Sequence, residues 1–149
     1  MGVEAKSRHR AGVLHQAGDV DESRALRGDI DNLINEALEQ RPDDKGFIVL
    51  VDVNVPPVPR IPVEERVWAQ DVWQSMQALR APGDSSHSRD VFNAIFVTSF
   101  PFHWQGASPT TGAERLSMVS GRPQFPIPVD FMARIIRAVD GYGLIPNEV

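Results

Sequence analysis

Glu4 and Lys6 stand two residues apart in the segment VEAKSRHR, Val3 to Arg10, and Arg8 and Arg10 continue the same spacing. A strand turns successive side chains to opposite faces, so these four project from one side and Val3, Ala5 and Ser7 from the other. Such a row has a definite chemistry. A carboxylate can hold Mg²⁺ or Mn²⁺, and a lysine beside it can orient or deprotonate an attacking water or offset charge on a phosphodiester in the transition state. Arginines further along the strand can grip flanking phosphates. On this reading Glu4 is the metal ligand, Lys6 its catalytic partner, and Arg8 and Arg10 are phosphate-binding. A charged strand face near a solvated terminus carries the same residues with no chemistry, and a three-residue pattern recurs by chance.

A second constellation depends on two apolar runs. GFIVLVDVNV, Gly46 to Val55, is continuous and β-branched, as expected of a central strand covered on both faces. Val91 to Phe100, centred on Ala94, Ile95, Phe96 and Val97, reads as a second buried strand. Ligands of open parallel sheets bind beyond the carboxyl ends of the strands. Asp52 and Asn54 end the first run; Thr98, Ser99, His103 and Trp104 end or follow the second. If these strands are neighbours, Asp52, Asn54 and His103 line a secondary candidate pocket, and Asp52 offers an additional carboxylate. The plainer role for Asp52 is bonding to nearby backbone amides.

Other signals are weaker. His9, His15, His87 and His103 lack a tight metal-ligand spacing, and Ser85, Ser86 and His87 form no nucleophile elbow. Neither a P-loop nor a dinucleotide-binding glycine pattern occurs.

The elements that must position these residues follow from periodicity. Val3 to Arg10 predicts a half-exposed strand, and Ala11 to Asp21 a connection. Leu26, Ile30, Leu33, Ile34, Ala37 and Leu38 share one face of a helix between Glu22 and Gln40, which Pro42 stops. The prolines of Pro56 to Pro62 hold off the next helix until Val63. That helix, to Leu79, has a stripe of Val67, Trp68, Val72, Met76 and Leu79, with Trp73 at its margin and both tryptophans expected in the core. Ala81 to Asp90 reads as a polar loop, and Gln105 to Arg115 and Gly121 to Pro128 as irregular. Phe131, Met132, Ile135, Ile136 and Val139 predict a last helix over Val129 to Val139. Strands alternating with helices imply an α/β fold, a small and largely parallel sheet with amphipathic helices packed on its faces.

Composition sets bounds. The chain has 149 residues, enough for one α/β domain. It has no cysteine, so any metal chemistry falls to carboxylates and histidines. A net charge of −5 disfavours coating nucleic acid through the overall field, leaving a local basic patch on the N-terminal strand as the nucleic-acid contact. The longest apolar run is too short to span a bilayer, and the charged N-terminus is unlike a signal peptide, so the expectation is a cytoplasmic protein with no membrane partner.

With Glu4-Ala5-Lys6 on a strand, followed by a helix and a buried strand, the first third of the chain resembles the restriction-endonuclease-like PD-(D/E)xK nuclease superfamily. The resemblance implies a Mg²⁺- or Mn²⁺-dependent nuclease, with Glu4 as metal ligand and Lys6 as catalytic residue. The superfamily's other acidic ligand lies on an earlier strand, and only three residues precede Glu4, so the chain would correspond to the later part of a nuclease domain, truncated or inactive. Some members carry a Gln and Tyr pair on the following helix; here that helix offers Gln40 and no tyrosine. The alternative is a non-catalytic α/β interaction module or subunit of a larger assembly, oligomeric or partner-bound through an apolar patch at Phe100, Phe102 and Trp104 or the proline-rich stretch.

Overall fold

A computed structural model describes residues 1–8, 26–55, 61–80, 89–100 and 114–142. Its centre is a four-stranded sheet in the order β1 (Gly2–Ser7), β2 (Phe47–Asp52), β3 (Ala94–Ser99), β4 (Glu114–Val119). β1 pairs with β2 and β2 with β3 in parallel, whereas β4 closes the order antiparallel to β3. The expected α/β architecture with a largely parallel sheet is therefore present, and β2 is central as its unbroken apolar run requires. β4 departs from expectation. Its first residues, Glu114 and Arg115, fall in a stretch read as irregular, yet Leu116 and Met118 alternate onto one face and pack in the core.

Helix α1 (Leu26–Glu39) joins β1 to β2, and α2 (Val67–Arg80) lies between β2 and β3. Parallel neighbours taken in sequence order with crossovers of one hand put both helices on the same face of the sheet. There Ile30, Ile34 and Ala37 of α1 and Trp68, Val72 and Met76 of α2 bury the side chains of Val49, Val51, Ile95 and Val97. Among the described residues the opposite face is covered by α3 (Val129–Tyr142), whose Met132, Ile136 and Val139 meet Ile48, Ala94 and Phe96. Arg115 of β4 fixes α3 from the side through Asp140, Nε to Oδ1 at 3.0 Å.

Two readings of α2 need correction. The helix does not run unbroken from Val63: a 3-10 turn at Val63–Glu65 ends on extended Arg66, and α2 starts after it. Val67, at the first helical position, is consequently 75% exposed rather than part of the stripe. Trp73 is 51% exposed while Trp68 is buried, so only one of the two tryptophans belongs to the core.

Among the described residues no helix is long and apolar enough to cross a membrane.

Candidate functional site

Glu4 and Lys6 do share one face of β1, as alternation requires, and Arg8, just past its end, continues on the same side, the side turned toward α1. Lys6 Nζ lies 3.4 Å from Glu4 Oε1. Gln40, just past the end of α1, spans the pair: with its side-chain amide turned so that nitrogen faces the carboxylate, it donates to Glu4 Oε1 at 2.9 Å and its oxygen accepts from Lys6 Nζ at 2.9 Å. Two residues on, Arg8 Nε donates to Asp29 Oδ2 of α1 at 2.9 Å. The charged row is thus a polar seam between β1 and α1, with both ends of the helix tied to the strand. Glu4 and Lys6 retain 28% and 19% side-chain exposure, so water reaches the pair.

The strand ends gather on the other face. Ser7 pairs with Asp52 and Asp52 with Thr98, so one polar row crosses the carboxyl ends of the three parallel strands. The strand adjacency on which that secondary pocket was conditional is therefore present, with Asp52 beside Thr98. Asp52 accepts a bond from its near neighbour, Asn54 N to Asp52 Oδ1 at 3.2 Å, which is the backbone role anticipated for a strand-end aspartate. Asn54 adopts φ +54°, a left-handed conformation that asparagine tolerates. Its side chain then crosses to β1, donating to the Arg8 carbonyl at 2.8 Å and to Ser7 Oγ at 3.1 Å.

Because Glu4 pairs with Val49 and Asp52 follows the alternate face of β2, the two carboxylates lie on opposite sides of the sheet. Asp52 therefore does not supply a second ligand beside Glu4. No group of three acidic or histidine side chains converges among the described residues. Arg10, His9, His15, His87, His103, Ser85, Ser86, Phe102 and Trp104 lie outside the described residues.

Over the Ser7, Asp52 and Thr98 row opens a groove of about 680 Å³ between β1 and α3. Its walls are Val3 and Ala5 of β1, Leu50 of β2, and Ile135, Ala138 and Val139 of α3, with Phe100 at the strand end. The cause is geometric. One helix about 10 Å wide covers two strands spaced about 4.8 Å apart, and α3 sits over β2 and β3. Among the described residues no helix lies above the small side chains Val3 and Ala5, and both are exposed. Sequence reading placed Asp52 and Thr98 at such a site but not its wall, because Val3 and Ala5 were seen only as the uncharged side of a charged strand.

No family model, curated protein or solved structure matches this chain.

Proposed function

We propose that this chain is a non-catalytic α/β binding module whose ligand surface is the groove between β1 and α3. One observation carries the reading: an apolar trough of small-molecule size ends on a polar row at the carboxyl ends of the parallel strands. Concave, mostly apolar sites with a few convergent polar groups are where proteins hold ligands, and this position is where open parallel sheets place them. The Glu4 and Lys6 pair supports the same reading from the other face, since its polar atoms are matched to each other and to Gln40.

The test is a titration with octanol, a neutral apolar probe, followed by amide resonances. Shifts at Val3, Ala5, Ile135 and Ala138, absent at Asn35 and Glu39 on the outer side of α1, are expected. Ala138→Trp, at an exposed helix position, fills the trough and should remove them. A titration that leaves the groove resonances unmoved overturns the reading.

A further inference from the structure

β1 is an open edge of the sheet: among the described residues no strand lies beyond it. Its ladder to β2 uses every second residue. Gly2 N donates to Gly46 O and Arg8 N to Asp52 O, so Gly2, Glu4, Lys6 and Arg8 turn their backbone groups inward to β2. The N–H and C=O groups of Val3, Ala5 and Ser7 therefore point away from the sheet, where a further strand takes them up.

The side chains specify which strand. Glu4 and Lys6 flank Ala5, one acidic and one basic, on the α1 face and still reached by water. In an antiparallel pair of two β1 strands, a two-fold axis at Ala5 sets Glu4 opposite the partner's Lys6 and Lys6 opposite the partner's Glu4. Both contacts fall at non-hydrogen-bonded positions, where facing side chains come closest, while Val3, Ala5 and Ser7 exchange backbone bonds with the partner's Ser7, Ala5 and Val3. Other registers are penalised. A slip of one residue aims free backbone groups at groups already bonded and turns the side chains to the wrong face. A slip of two sets Glu4 against Glu4 or Lys6 against Lys6, and like charges directly opposite are destabilising. On the other face Ala5 is small enough to meet its own copy at the axis, and exposed Val3 covers the partner's Ser7.

We infer that the chain forms a two-fold dimer by antiparallel pairing of β1 with β1 of a second copy, joining two four-stranded sheets into one. A two-fold interface must be complementary to itself, and an acid and a base placed evenly about Ala5 meet that condition. The dimer is independent of what the groove between β1 and α3 holds, and it sets the two grooves side by side across the axis.

The experiment is sedimentation equilibrium of the intact chain across a range of concentrations, with twice the chain mass expected at the upper end. Lys6→Glu and Glu4→Lys each put like charges opposite at both contacts and should weaken the dimer at least about tenfold. An equimolar mixture of the two variants should recover it, because each supplies the charge that the other lacks. The chain has no cysteine, so a single introduced thiol reports the register. Ala5→Cys should oxidise in air to a disulfide-linked dimer, since the two sites face each other at about 5.5 Å between Cα atoms. Val3→Cys, on the same exposed face, should stay unlinked, because Val3 faces Ser7 and lies about 13 Å along the strand from the partner's Val3. A chain still monomeric at about 1 mM overturns the dimer. Equal rates of linking in the two thiol variants, or a dimer indifferent to both charge reversals, overturn its assignment to β1.

Discussion

Arg66, at the start of α2, is ion-paired with Glu114, at the start of β4, and both side chains are nearly excluded from water. The pair closes the carboxyl end of the sheet on the α1 and α2 side, where Ser99 also donates to the Val55 carbonyl at 2.6 Å. A charge held in such a place is costly to leave without its counterpart. Arg66→Met is therefore expected to lower stability by about 3–5 kcal/mol, read as a fall in the urea midpoint. Arg66→Met with Glu114→Leu should recover much of that loss, because the double change removes both charges. A double variant no more stable than the single one would show that the pair is not the source of the loss.

Asn54 extends the hold of β2 on β1 past the end of the strand ladder. Its left-handed backbone places the side chain on Arg8 O and Ser7 Oγ. Asn54→Gly keeps the backbone and loses the two bonds; Asn54→Ala loses the bonds and also strains a Cβ. The glycine variant is expected to be more stable than the alanine variant by about 1 kcal/mol, measured by urea unfolding. Equal stabilities would mean that the φ value carries no cost at this position.

The fold was legible wherever one periodicity dominated. β2 and β3 are runs of apolar residues with no competing pattern, and Ile30, Ile34 and Ala37 mark the buried side of α1 at helical spacing. β4 was missed because ERLSMV mixes two charged residues with a short alternation in which only Met118 is fully covered. The strand is defined by its pairing with β3, a long-range contact that local propensity does not encode. The candidate row Glu4, Lys6 and Arg8 was placed correctly on one strand face. That this face meets α1 was not legible, since its partners Gln40 and Asp29 come from the two ends of a helix whose orientation only packing decides. Likewise Asp52 could be placed near Thr98 only on condition that the two buried strands are neighbours, and its lying on the opposite face from Glu4 and Lys6 depended on register.

Gly46 precedes β2 where the chain passes close to the segment leading into α3. A Cβ there would lie 2.6 Å from Ile127 Cγ1 and 2.9 Å from both Asn93 Oδ1 and the Phe125 carbonyl. Asn93 is the hub, because it accepts from Phe47 N at 2.7 Å and donates to Phe125 O at 3.0 Å. Gly46→Ala must displace it, and is expected to cost about 1–3 kcal/mol. Asn93→Ala should cost a similar amount by leaving the buried Phe47 N–H without its acceptor. In the double variant the losses should fall short of additive, since the methyl group then has one neighbour fewer to displace; strict additivity in thermal or urea unfolding would show that Gly46 and Asn93 act independently.

The nuclease chemistry implied by Glu4-Ala5-Lys6 makes the opposite prediction from the groove, so Lys6→Ala separates them. Lys6 meets Glu4 at 3.4 Å and the Gln40 oxygen at 2.9 Å, so its removal loosens a partly exposed seam. The expected stability loss is under about 1 kcal/mol, because solvent screens a pair this accessible. With Asp52 on the opposite face from Glu4, the binding-module reading expects labelled single- and double-stranded DNA to stay uncut by either protein with Mg²⁺ or Mn²⁺. Cleavage by the unmodified chain that is lost in folded Lys6→Ala would instead make the E-x-K strand catalytic. Glu4→Ala would then have to abolish binding of Mn²⁺ without unfolding, since a carboxylate that holds the metal cannot be replaced by a methyl group.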